Sequence, residues 1–417
     1  KEVGLEIFAR SPSQLTTSSL RQAMTTSIST LGGYLADEVE VPLGPLSRSS
    51  VYLAIPGFGM KMSSRFRRKK ISRRDLFVEA LTCHATQLSD AYWLSSPRLQ
   101  RKWEWRRSPK TDPVSALTRA WRKGHVSNFD YLLRLNAISG RCFHDPGNYP
   151  IMPWVLSNFT SDSVPDLTDE RNYRDLSKPM GALCPDRLRK FQAKYACLCG
   201  IVDTAIPPFM YGSHYSNTGG VVLHYLVRVR PFAGLHRQLQ GGQFDLPDRL
   251  FRSVAQTWDI CSQTSTTEVK ELTPEWYSDP TFLKNTHNFN LGTCTADGAA
   301  ISDVALPSWA NNDPVKFIEV MRNALESDFS SSHLPNWIDL VFGCKQRGPE
   351  AEKANNVFYH LSYYDSDDLA KIEDESLRTE IELHIADFGS CPAQLFLQPH
   401  PGKKLDRKSQ SELSMSV

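Results

Sequence analysis

Apolar residues recur at helical spacing through most of the second half of this chain, and polar punctuation marks where each run begins. Ser127-x-x-Asp130 reads as a capping box, with Phe129, Leu132, Leu135 and Ile138 on one face before Gly140 stops the helix. Pro185 opens a second run carrying Leu188, Phe191, Tyr195 and Leu198, with Gly200 after it. Asp245 begins a third, with Leu250, Phe251, Val254 and Trp258 inward. Asp313-Pro314 is an N-cap followed by proline at the first helical position, ahead of Phe317, Ile318, Met321 and Leu325. Leu334, Trp337, Ile338, Val341 and Phe342 form the next stripe, closed by Gly343. Pro349 starts another, with Ala354, Val357, Phe358 and Leu361, and Asp374 caps a last one with Leu377, Ile381 and Ile385. These stripes read as core faces of helices.

Other stretches carry a different pattern. Residues 219–229 fit a strand by β-branched content and a helix by their surroundings. The segments 141–184, 201–218 and 262–312 are long, polar, aromatic and rich in proline, and must pack specifically to be ordered. Upstream, residues 3–8 alternate as a short strand, and 13–31 suit a helix (Leu15, Leu20, Met24, Ile28, Leu31). Residues 32–113 read as a long connector with at most one helix near 73–89. The tail after Pro401 is polar, as disordered termini are. The fold class expected is mainly α with much irregular backbone.

Composition narrows this picture. The chain has 417 residues, 40% apolar, enough for a substantial core and for two or three domains, or one large one with an appendage. No apolar run reaches the roughly 18 residues that mark a transmembrane helix. No signal peptide is visible, and the opening Lys1-Glu2-Val3-Gly4 suggests a piece of something longer. The nine cysteines (83, 142, 184, 197, 199, 261, 294, 344, 391) include no C-x-x-C, which fits reduced thiols in a cytosolic protein better than a disulfide frame or a zinc site.

The net charge of +2 conceals a local bias. Between Lys61 and Lys110 there are 14 Lys and Arg against 4 Asp and Glu. The densest parts hold Arg67, Arg68, Lys69, Lys70, Arg73 and Arg74, then Arg101, Lys102, Arg106 and Arg107 around Trp103 and Trp105. Such a run is a solvated loop, an attraction to anionic lipid worth about 1 kcal/mol per cation, or a nucleic-acid contact. Indole rings favour the lipid interface. No zinc finger, RRM or recognition helix supports nucleic acid.

Catalytic patterns are scarce. There is no nucleophile elbow, P-loop, H-E-x-x-H or kinase set. Ser213 and His214 are adjacent, but adjacency supplies neither an aligned base nor an orienting group. Asp365, Asp367 and Asp368 lack the Gly and Glu of a calcium loop, since Ala370 and Ser376 stand there. Cys142-Phe143-His144-Asp145 reads as a packed turn before it reads as a thiol nucleophile. No metal and no cofactor is expected.

Polar residues embedded among aromatics stand out: Asn128, Asn136, Arg141, Asp145, Asp175, Lys178, His214, Lys270, Glu271, His333, Asp339 and Arg347. Irregular backbone lacks ladder partners, and such side chains can supply them. Structural staples are the first reading; a ligand site is the second.

Blocks spanning about 118–401 resemble the BEACH family, named from the beige and Chediak–Higashi proteins. In order they are Ser127–Arg141, Asn148–Trp154, Tyr173–Ala182, Pro208–Ser216, Arg230–Phe232, Leu239–Asp245, Val269–Glu275, Ala324–Ser327, His333–Pro349, Asn356–Tyr359, Asp387–Gly389 and Pro399–Pro401. Cys142-Phe143-His144, Trp276-Tyr277 and Cys344 depart mildly from the family's usual residues. The resemblance implies a helical domain with many segments lacking regular structure. It adds Tyr131, Gly140, Tyr149, Pro150, Trp154, Pro179, Tyr215, Glu326, Trp337, Gln346 and Gly348 to the residues expected to hold that framework. It also implies a PH-like domain packed before the body and WD40 repeats after it. On this view 1–31 is the end of the PH-like domain, 32–113 a basic connector, 114–401 the BEACH domain and 402–417 a disordered tail. The function implied is a non-enzymatic scaffold in vesicle and membrane traffic, cytoplasmic and peripheral to endosomal or lysosomal membranes. Its partners would be proteins of the trafficking machinery, with an anionic membrane as the alternative for 61–110.

Overall fold

The computed structural model describes residues 112–403, apart from 202–205, 296–297, 365–367 and 370. The strand at 3–8, the helix at 13–31, the connector up to 111 with its basic residues, Asp365, Asp367 and the tail from 404 lie outside the described residues.

The body is mainly helical. Among the described residues there is no β-strand, only isolated bridges such as Met152 with Leu272, Leu156 with Tyr173 and Tyr211 with Phe358. Helix α1 spans Pro113–Arg122 and starts where the Asp112 carboxylate accepts the Val114 and Ser115 amides. α2 (Asn128–Ile138) starts at Ser127, whose hydroxyl accepts the Asp130 amide at 3.0 Å. α3 (Pro185–Cys199) buries only Arg187 and Phe191 fully. The stretch 219–229 resolves as helical through Tyr225 and as turns beyond it: a π turn, Thr218–Val222, runs into the short α4, Leu223–Tyr225. Asn217 starts it by accepting the Gly220 amide at 2.6 Å. α5 spans Phe232–Leu239, and α6 Val254–Asp259 continues into a second π turn. α7 (Pro314–Glu326) and α8 (Asp328–Val341) share Ser327, which ends one and caps the other. α9 is Gly348–Lys353, and α10 is Glu375–Phe388, capped by Asp374 and burying only Ile381.

Two expected helices are corrected. Around Asp245 the chain makes a short 3-10 turn at Pro247–Arg249 and an extended stretch, and the helix begins only at Val254. Leu250 and Phe251 serve different clusters there. Leu250 packs with Val227 and Leu291, while Phe251 enters the main core. The helix after Arg347 stops at Lys353, so Val357 and Phe358 are not on it. Asn355 adopts a left-handed φ of 55°, and the Asn356 amide is drawn off to Leu340 O and Lys345 O.

The centre of the core is not helical. Residues 149–156 and 269–277 are buried without interruption, yet neither is a helix along its length. Trp154 and Trp276 meet between them with ring centres 4.9 Å apart and planes tilted by 58°, and Tyr225, Phe251 and Phe282 surround Trp276. α7 and α8 add Phe317, Met321, Leu334, Trp337 and Ile338 to the same core, with the Phe317 ring 6.0 Å from Trp276.

Candidate functional site

The two buried segments join through one bridge, in which Met152 and Leu272 exchange N–H···O bonds of 2.8 Å. Every other buried backbone group near it needs a partner, because an unpaired one costs about 1–3 kcal/mol. Side chains supply them. Asn136, buried on α2, donates its amide to Ile151 O at 2.9 Å and accepts Ile151 N–H at 2.8 Å. One side chain thus mimics the edge of a strand. The Tyr277 hydroxyl reaches Pro153 O, and the Trp154 indole donates to Lys270 O.

Glu271 is the hub. Its carboxylate accepts from Trp154 N at 3.1 Å, the Trp337 indole at 3.0 Å and the Arg174 guanidinium at 2.8 Å. Arg174 and Glu271 are the buried ion pair of the core, with side chains 0% and 2% exposed. Glu275 accepts the Tyr149 hydroxyl at 2.7 Å, and burial raises its pKa.

Arg141 gathers carbonyls. It donates to Tyr149 O at 2.8 Å and to Ser390 O, and lies 3.4 Å from the Ser216 hydroxyl. Burial lowers its pKa to about 10, which leaves it cationic at neutral pH. Gly140 before it has φ +90°, a region glycine enters at no steric cost. Arg187 treats Met180 O, Cys261 O and Glu268 O in the same way, and Arg228 binds Phe251 O and Ser302 O. Three buried guanidiniums thus spend their donors on irregular backbone.

A third cluster fastens the end of the body to α2. Asn128 accepts from the Trp121 indole and Lys403, and donates to Leu325 O and the Ser331 hydroxyl. Glu326 of α7 accepts the first two amides of α2, Asn128 N at 2.7 Å and Phe129 N at 3.0 Å. That places a carboxylate at a helix N-terminus, where it is favoured. Tyr131 stacks on Trp121, and its hydroxyl meets His400 Nε2 at 2.6 Å. Burial holds His400 at a pKa of about 4, and Asp339, raised by burial, accepts the His400 amide. Gly402 and Lys403, expected in the tail, are bound here to Arg122 and Asn128.

The remaining candidates fall into place around these clusters. His214 is buried with Nδ1 against the Ser216 backbone, and burial, then Arg141, push its pKa well down. Ser213 turns instead to Phe388 O and the Asn217 amide, so the two neighbours form no dyad. Tyr215 and Pro150 are buried, and Pro179, also buried, opens the turn Met180–Ala182. Lys270 pairs with Glu268, and His333 stacks on Phe329 at 4.2 Å. Gln346 donates to Val341 O and Pro392 O, Arg347 donates to Tyr363 O, and Gly348 begins α9 with φ +69°.

Asp145, Asp175 and Lys178 are corrections. All three are exposed. Asp145 caps a short turn through Gly147 N and Asn148, and Asp175 pairs with Lys178 at 3.1 Å on the surface. The residue that matters in that block is Arg174. Its neighbours alternate, with 174 and 176 buried and 175 and 177 exposed, and this period of two is the signal that finds it. Arg187 is likewise in register with Phe191 on the buried face of α3.

Among the described residues no group of three or more His, Cys, Asp and Glu side chains could hold a metal ion, and no helix is long and apolar enough to cross a membrane. Glu271, Arg141, Asn128 and Asn136 direct their hydrogen bonds to the protein's own backbone and side chains, so the arrangement fixes shape.

Comparison with known proteins gives a consistent result. A family model described as Beige/BEACH domain matches residues 119–403. The BEACH domain-containing protein lvsE of Dictyostelium discoideum is 44% identical over 311 residues, covering 75% of this chain and 14% of the relative. The BEACH domain-containing protein A2 of Arabidopsis thaliana is 44% identical over 296 residues, 71% of this chain and 8% of the relative. Beige protein homolog 1 of Schizosaccharomyces pombe is 44% identical over 289 residues, 69% of this chain and 11% of the relative. The aligned part is thus a small fraction of each of these long proteins.

Proposed function

The chain belongs to the Beige/BEACH domain family, and on that premise we propose that it is a non-enzymatic scaffold of vesicle and membrane traffic. It works by protein–protein contact through the 114–401 body, in processes such as membrane fusion and fission, autophagy and the upkeep of lysosome-related organelles. It sits in the cytoplasm, peripheral to endosomal or lysosomal membranes, and contacts PH-like and WD40 neighbours in a longer protein.

The supporting observation is where the buried polar groups point. Glu271, Arg141 and Asn128 spend their hydrogen bonds inside the body, on backbone and side chains that include segments far away in sequence. A body built this way holds a surface of fixed shape, which is what a scaffold needs. A second reading rests on the excess of ten cations between Lys61 and Lys110, which suits an anionic lipid surface.

Anchoring the whole chain to the mitochondrial surface of cells separates the two. A scaffold recruits trafficking proteins there, seen by quantitative mass spectrometry of isolated mitochondria, and R67A/R68A/K69A/K70A recruits the same set. A proteome identical to that of the empty anchor contradicts the scaffold. If instead the purified chain sediments with phosphatidylserine vesicles and is released in 1 M salt, where the Debye length is about 3 Å, the lipid reading takes its place.

A further inference from the structure

We propose that the recess beside Arg347 captures the C-terminal residue of a partner protein, taking its free carboxylate on the guanidinium and its apolar side chain inside. The recess has a volume of about 180 Å³ and is lined by Arg347, Gly348, Ala351, Glu352, Val357 and Tyr363. That is room for one aliphatic or aromatic side chain, the size of an interface anchor. Ala351, Val357 and the Tyr363 ring supply its apolar walls.

The cation at its edge is held in position. Arg347 Nε donates to Gln346 Oε1 at 3.2 Å, and Nη2 donates to Tyr363 O at 3.0 Å. Gln346 is itself buried and tied to Val341 O and Pro392 O. The guanidinium also lies 5.4 Å from the centre of the Tyr363 ring. Two nitrogens are therefore fixed on neutral oxygens, and among the described residues no carboxylate pairs with this arginine. A planar, oriented guanidinium that still lacks an anion is suited to a carboxylate.

A C-terminal apolar residue joins carboxylate and side chain at a single Cα, which matches a one-residue recess with one cation at its edge. Internal acidic residues place the carboxylate on a different side chain from the apolar group. Glu352 constrains the orientation. It lies on the same wall, next to the Tyr195 hydroxyl, and repels a carboxylate, so the ligand's charge belongs at the Arg347 end. The inference rests on the scaffold reading, because it names the chemistry of one partner contact.

The test uses the full chain with acetyl-Gly-Gly-Leu as probe, against the same peptide with a C-terminal amide. Methyl resonances of Ala351 and Val357 report binding. The acid is expected to shift both, the amide to bind at least tenfold more weakly, and E352Q to tighten the acid. Glu352 is exposed, so that variant keeps the fold. Equal binding of acid and amide, or unmoved Ala351 and Val357 methyls, overturns the proposal. Peptide binding without recruitment at the mitochondrial surface removes the scaffold and leaves the recess. Recruitment without peptide binding does the reverse.

Discussion

Glu271→Ala is expected to cost the fold about 3–5 kcal/mol, the usual penalty for breaking a buried ion pair from one side. The substitution leaves Arg174 charged in a site where its side chain is 0% exposed. It also strips the acceptor from Trp154 N and from the Trp337 indole. Urea unfolding of the whole chain, followed by tryptophan fluorescence, measures the loss directly, since both indoles sit at the site. Replacing both partners, as R174M/E271L, removes the stranded charge. The double variant is expected to be less destabilised than the sum of the single ones, because the two residues are coupled. Additive losses show that the pair does not act as a unit.

Arg141→Ala has the second largest expected effect, about 2–4 kcal/mol, from a different cause. No carboxylate is left behind; instead Tyr149 O and Ser390 O lose their donor, at about 1–3 kcal/mol for each buried group left unsatisfied. Residues 216 and 390 are far from 141 in sequence and meet Tyr149 at this one guanidinium. Arg141→Met keeps most of the volume and none of the donors, so it should cost nearly as much as alanine. Recovery of stability with methionine assigns the effect to packing and removes Arg141 from the set of staples.

Helix starts were the most legible part of this chain. Ser127, Asp313 and Asp374 each cap the helix their position indicates, because capping is a local interaction between near neighbours. The reading failed where tertiary partners outweighed spacing. Leu250, Phe251, Val254 and Trp258 have helical spacing, but Leu250 is claimed by Val227 and Leu291, which lie far away in sequence. Asn128, Asn136, Arg141, His214 and Glu271 are buried polar residues whose surroundings of aromatics could be read directly. Arg174, Arg187 and Arg228 were less so, because Arg174 pairs with a carboxylate 97 residues away and the other two donate to carbonyls of segments with no pattern of their own. Asp145, Asp175 and Lys178 share the aromatic neighbourhood in sequence, yet each satisfies its charge or dipole locally at the surface.

Amide hydrogen exchange on the native chain tests the central claim most directly, that side chains secure the irregular core as firmly as ladders secure regular structure. The amides of Ile151, Met152, Trp154, Arg174, Glu271 and Leu272 are all hydrogen-bonded in buried, non-helical backbone. They are expected to exchange as slowly as those of Trp337 and Ile338 in α8, through global unfolding alone. Rapid exchange of those six while α8 stays protected would mean that the core is held by its helices, and that the polar side chains merely fill it.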